Sequence, residues 1–305
     1  GARPGGHEVG GQEGAPMIGR AACRGAATIV NAIPTGRGAA FGITLETDAE
    51  VTILDEAGGI VCPGLGEGAE LVAHCVGSTL RGTPLEGRGA RVALRSDIPI
   101  SRGLKSSSAA SNAVVLATTR AAQASIDDLR VLGTAVDASV KAGVTITGAF
   151  DDAAACYFGG AVVTDNSERR VIARGRMDAS LSVLIHVPGR RISKASVRGL
   201  DFGPARPDSE RALKLAIAGE FAKAMELNSR ACSKVLGLSE EVAELARENG
   251  AVAAGISGTG PATVVLARRE DEAGLARVLE ARSDGVVLRA AINDTPATEV
   301  VPRLF

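Results

Sequence analysis

Three glycine-bearing loops punctuate this chain, at residues 35–42 (TGRGAAFG), 103–109 (GLKSSSA) and 255–262 (GISGTGPA). Apolar segments flank each of them. Glycine tolerates backbone conformations and close approaches that other residues resist, so each loop is at least a tight turn. The second loop also opens into an alanine-rich stretch of helical character, and a helix start leaves backbone N–H groups free to meet hydroxyls or an anion. Loops of this kind between strands and helices restrict the chain to a mixed α/β architecture.

The remaining text fits that class. Residues 26–54 read as sheet broken by a turn at 35–38, residues 69–80 as a helix, 91–100 as a strand, and 107–124 and 127–141 as helices. A turn then leads into a small-residue segment and a strand ending near Asp165. Beyond it strands at 179–188, 251–267 and 285–292 alternate with helices at 208–236, broken near Gly219, at 239–249 and at 270–283. A length of 305 residues favours two domains, expected at 17–165 and 166–305. The glycine-rich opening, residues 1–16, lacks periodicity and precedes Met17. It is read as an appended remnant and expected to be disordered.

Composition narrows the function. A net charge of -1 offers no field to recruit nucleic acid or an anionic membrane, and with no Trp and only Tyr157 there is little for bases to stack on. Five scattered cysteines and three unclustered histidines disfavour a disulfide framework and a zinc site. No apolar run is long enough to span a membrane. The expectation is a cytoplasmic protein, monomer or homodimer, acting on a small molecule.

Familiar catalytic loops are excluded by spacing. GxxxxGK[ST] is absent, residues 35–42 lack the third glycine of a dinucleotide loop, and GISGT ends in Thr259 where a nucleophile elbow requires glycine. Ser106, Ser107 and Ser108 either cap a helix or face a phosphate. Asp151 and Asp152 stand among small apolar residues, an expensive place for two acids, and either cap a helix beginning near Ala153 or do chemistry.

In combination these motifs point further. Pro99-xxx-Gly103-Leu104-x-Ser106-Ser107, then FDDA, then GISGTGPA resembles the GHMP kinase superfamily, named for galactokinase, homoserine kinase, mevalonate kinase and phosphomevalonate kinase. The resemblance spans about residues 25–267. The family's second motif reads Pro-xxx-Gly-Leu-Gly-Ser-Ser-Ala, whereas here Lys105 replaces the middle glycine and Ser108 the alanine. GLKSSSAASNA, TGAFDDA and NAIPTGRGAAFGI together look like the archaeal-type shikimate kinases, a branch unrelated in fold to the P-loop shikimate kinases.

That resemblance implies a two-domain GHMP kinase fold with its active site in the cleft, ATP and Mg²⁺ as cofactors, and shikimate as substrate. Pro99, Gly103, Leu104, Lys105, Ser106, Ser107, Ser108 and Ala109 would wrap the ATP phosphates. Asp151 falls at the family's catalytic aspartate and Asp152 where relatives often carry Asn, with Lys105 approaching a phosphate. Ser107 is the expected Mg²⁺ ligand, with Asp137 the nearest acid upstream. For a substrate with a carboxylate and three hydroxyls, the candidates are Asn31, Thr35, Arg37, Gly38, Arg191, Ser257, Gly258, Thr259 and Gly260, with Arg190 and Lys194 as further cations. Homoserine kinase explains the same loops but needs an acceptor cluster for an ammonium group. A non-catalytic metabolite sensor of the same fold is disfavoured by the intact Asp151 and serine loop.

Overall fold

β1 (Met17–Val30) and β2 (Arg37–Ala57) form a long antiparallel pair running from Met17 opposite Ile53 to Val30 opposite Ala39. The computed structural model describes residues 16–303 apart from 67, 193 and 283, so the glycine-rich opening expected to be disordered, Pro16 excepted, lies outside the described residues. The sheet starts at Met17 instead of Ala26. Arg20 and Arg24, which break the apolar pattern there, pair across the strands with Glu50 and Glu46. β2 is the hub of this first sheet. Its second half pairs β4 (Arg88–Ser96), itself flanked by the short β3 (Ile60–Val61), and its first half pairs β5 (Ala161–Asp165) and through it β6 (Arg170–Gly175).

Four helices go with this sheet: α1 (Ala69–Leu80), α2 (Ser106–Ala121), α3 (Asp128–Lys141) and α4 (Phe150–Phe158). With few aromatics to fill space, the layers pack backbone to backbone. A Cβ at Gly19 of β1 would stand 2.0 Å from the Ala117 carbonyl oxygen of α2, so glycine lets the alanine-rich helix lie directly on the strand.

The second sheet has the order β10-β7-β9-β8, built from β7 (Leu181–Pro188), β8 (Ala253–Ile256), β9 (Thr263–Arg268) and β10 (Gly285–Ala291), with neighbours antiparallel. Its helices are α5 (Lys194–Val197), α6 (Arg206–Ile217), α7 (Phe221–Leu236), α8 (Glu241–Glu248) and α9 (Glu272–Glu280). Because β6 pairs β5, the chain leaves the first sheet after Gly175, later than the boundary expected at Asp165. After β10 it returns. Ile292 bridges Ile43, the Asn293 N–H donates to the Gly42 carbonyl, and the Arg303 guanidinium binds Asp48 and Asp97. Among the described residues, no helix is long and apolar enough to cross a membrane.

Candidate active site

The serine loop enters α2 through Lys105, whose backbone is left-handed (φ 64°, ψ 30°) and which provides no side-chain cap. None of the three serines caps the helix. They occupy its first turn, and their hydroxyls form no hydrogen bond among the described residues. Helix geometry leaves the N–H groups of this turn without carbonyl partners, while Ala109 already donates to the Lys105 carbonyl. The result is a set of donors at the positive end of a helix dipole, suited to an anion. Leu104 is buried and anchors the loop. Gly103 (φ 86°) lies so close to the third loop that a Cβ would stand 2.0 Å from the Ser257 carbonyl oxygen.

That third loop is braced from both sides. The Thr28 N–H donates to Ser257 Oγ at 3.0 Å, Ser257 Oγ donates to the Gly103 carbonyl at 2.7 Å, and the Gly258 N–H donates to Thr28 Oγ1 at 2.8 Å. Asn31 Nδ2 donates to the Gly258 carbonyl at 3.0 Å. Ser257, expected to meet substrate, is therefore spent holding two loops together.

The acid pair stands in the first turn of α4, which starts at Phe150 after Ala149 in a left-handed conformation, earlier than expected. Neither aspartate caps the helix. Asp151 is buried and makes a reciprocal pair with Asn166, whose Nδ2 donates to Asp151 Oδ1 at 2.8 Å while its Oδ1 accepts the Asp151 N–H at 3.0 Å. Gly38 backs the carboxylate: a Cβ there would lie 2.2 Å from Asp151 Oδ2. Asp152 is ion-paired at 2.8 Å with the buried Nζ of Lys105.

The electrostatics follow from this crowding. Burial, then the charge of Asp152, push the Asp151 carboxyl up to about 7, against the opposing pull of Lys105 and the Asn166 hydrogen bond. Burial alone would lower the Lys105 ammonium, but the two carboxylates outweigh it and leave it raised, hence charged. A carboxyl poised near neutrality beside a fixed cation can take a proton from a substrate group.

A cavity of about 40 Å³ brings these parts together, lined by Thr28, Asn31, Ala32, Ile33, Lys105, residues 145–147, Ala149, Asp151, Asp152, Gly258 and Thr259. Of the expected site residues, Asn31, Lys105, Asp151, Asp152, Gly258 and Thr259 thus share one wall or another of it. Others do not line it. Asp137, the nearest acid upstream and more readily an exposed helix residue than a metal ligand, is on the surface with Arg169 at 2.6 Å. Thr35 closes its own turn by accepting the Arg37 N–H, Arg37 Nε binds Asp165 at 3.0 Å, Arg191 is exposed, and a Cβ at Gly260 would meet Leu238. The sequence reading missed Asn166, Thr28 and Thr145. Thr28 and Asn166 sit in or just beyond strands, where nothing local marks a polar residue as a brace.

The chain is similar to known proteins in family and fold. Residues 67–160 match the family model of the GHMP kinases N terminal domain, and residues 212–282 that of the GHMP kinases C terminal. The chain is 40% identical to the shikimate kinase of Pyrococcus abyssi over 84% of its own length and 94% of the relative's. It is 41% identical to that of Methanothrix thermoacetophila over 92% and 96%. Among solved structures it is similar to a homoserine kinase from Cytophaga hutchinsonii (TM-score 0.72, 19% identity, 90% and 96% covered). It is also similar to the Methanococcus jannaschii mevalonate kinase (TM-score 0.71, 15% identity, 92% and 99% covered). At those identities the structural likeness speaks to the fold alone.

Proposed function

The chain belongs to the GHMP kinases and, within them, to the shikimate kinases of archaeal type, and from this premise we propose that it transfers the γ-phosphoryl group of ATP to the 3-hydroxyl of shikimate. The products are shikimate 3-phosphate and ADP, a step toward aromatic amino acids. One observation carries the chemical part of this reading. Lys105 both opens the uncapped turn of α2 and pairs with Asp152 beside Asp151, so a phosphate cradle and a tuned carboxylate meet at one side chain.

In the proposed reaction Asp151 accepts the proton of the attacking hydroxyl as its oxygen bonds to the γ-phosphorus and the bond to the β-phosphate oxygen breaks. The first-turn N–H groups of α2 and the free hydroxyls of Ser106, Ser107 and Ser108 hold the phosphates. Lys105 offsets negative charge where it concentrates in transfer. Among the described residues no group of three acidic, His or Cys side chains could cage a metal. The unengaged Ser107 hydroxyl suits a cation that takes most of its oxygens from phosphates and water, which fits Mg²⁺. Bound there, Mg²⁺ would neutralise phosphate charge.

For the acceptor's carboxylate, Arg37 lies outside the cavity lining, but Asp165 occupies only its Nε and leaves the terminal nitrogens free to meet an anion. A homoserine reading needs an uncommitted acid for the ammonium group. Of the cavity's two acids, Lys105 consumes Asp152 and the reaction requires Asp151, which favours an acceptor without an amine.

The test is ADP release with MgATP and, separately, shikimate, homoserine, mevalonate and galactose. Release with shikimate alone is expected; release with homoserine and not shikimate would overturn the assignment. A second expectation concerns Gly38→Ala. Its methyl displaces the Asp151 carboxylate, so shikimate-dependent turnover should fall between ten- and about a hundredfold, with stability lowered by roughly 1–3 kcal/mol. Steady-state kinetics and thermal melts check both. Unchanged turnover would mean that the carboxylate position is immaterial.

A further inference from the structure

Most polar side chains around the cavity are already engaged. Thr28 Oγ1 accepts from Gly258, both ends of the Asn31 amide are used, and Thr147 Oγ1 accepts from Ala149 and Asn166. Two hydroxyls are not engaged among the described residues: Thr259 in the loop after β8 and Thr145 in the loop between α3 and α4. Thr145 is the more constrained. Its Oγ1 is shielded from solvent and has no hydrogen-bond partner.

A hydroxyl buried without a partner destabilises a fold by roughly 1–3 kcal/mol, and one that persists in a residue lining the same cavity as an acid pair calls for a ligand. Its chemistry selects the ligand. A threonine hydroxyl donates one hydrogen bond and accepts others without carrying charge. In a cavity shared with Asp151 and Asp152 a carboxylate is repelled, and with Asp152 held by Lys105 and Asp151 required for the reaction an ammonium has no free acid, which leaves a neutral hydroxyl as the matching group. We propose that Thr145 recognises a non-reacting hydroxyl of the acceptor substrate and so sets specificity for a polyhydroxylated ring. The assignment rests on the shikimate reading of this site.

Thr145→Val keeps the shape and removes the hydroxyl. The expected result is a drop of about tenfold in kcat/KM for shikimate with KM for MgATP unchanged, while Thr145→Ser retains most of the activity. Without substrate the Val variant should melt at or above the parent temperature, because a methyl replaces an unpaired polar atom. A purely structural residue would instead lower it. With 4-deoxyshikimate and 5-deoxyshikimate as acceptors, the parent-to-variant ratio should collapse to about one for the analogue that lacks the hydroxyl Thr145 meets. If Thr145→Val does not fold, Thr145→Ala carries the same comparison. A variant equal to the parent on shikimate, a loss that falls on MgATP, or an undiminished ratio on both analogues would overturn the assignment. Failure of the parent itself to use shikimate would overturn the reading beneath it.

Discussion

Asp151→Asn should slow phosphoryl transfer about a thousandfold while leaving KM for MgATP within about twofold of the parent. Asparagine preserves the shape, and its Oδ1 can still accept from Asn166, so the fold keeps its brace and loses only the proton acceptor. The pH dependence makes the prediction sharper. With Asp151 pushed up to about 7, kcat/KM for the parent should rise as pH climbs through that value and the carboxyl loses its proton. The limb should vanish in the variant. Stability runs the other way. Because the folded value is raised above the ordinary 3.8, the native state binds this proton more tightly than the unfolded chain, so the stabilisation present at acid pH fades as pH rises toward 7. Asp151→Asn removes that decline and should melt above the parent at pH 8. Thermal melts across pH and initial rates for both proteins test the two trends together, and retention of turnover within a few-fold would refute the base assignment.

The second large effect is expected at Lys105. Its left-handed backbone strains a side-chain-bearing residue by roughly 1–2 kcal/mol, and its buried ion pair with Asp152 offsets that strain. Lys105→Gly relieves the backbone but strands Asp152 next to Asp151, a loss of about 3 kcal/mol that outweighs the relief. Stability should therefore fall by about 2 kcal/mol, and kcat/KM by about a hundredfold. Two departures from the wider GHMP motif, which reads glycine at the first position and often Asn at the second, meet in this pair. Adding Asp152→Asn to Lys105→Gly should then recover most of the stability and bring transfer closer to the parent than Lys105→Gly alone. Denaturant melts and kinetics on the four proteins of this cycle measure the coupling. Losses that simply add would show that the two departures are independent.

How much could be read from the sequence depends on how local the cause is. α1 was legible at both ends because Leu71, Val72, Cys75, Val76 and Leu80 repeat at helical spacing and face the core. The acid pair was legible because charged residues among alanines need a reason. Its true partner was not: Asn166 closes β5, and its role arises only when that strand end lies against the start of α4. The serines were rightly placed at a helix start, yet the alternative of a serine cap fails for a tertiary reason, since the ion pair to Asp152 holds Lys105 at the cap position. Asp137 is near the acid pair only along the chain, since α3 turns it outward to Arg169. The return of residues 292–303 to the first sheet carries no local signal at all, because Arg303 binds Asp48 and Asp97 across the whole length of the chain.

The most direct test of a shikimate kinase with Asp151 as its base is the identity of the product. MgATP and shikimate incubated with the parent protein should yield ADP and a monophosphorylated shikimate in equal amounts. Phosphorus–proton coupling in the product should place the phosphate on the 3-hydroxyl, and Asp151→Asn should form the same product about a thousandfold more slowly. Phosphate on another hydroxyl, ADP released without a phosphorylated acceptor, or undiminished product from the Asp151→Asn protein would contradict it.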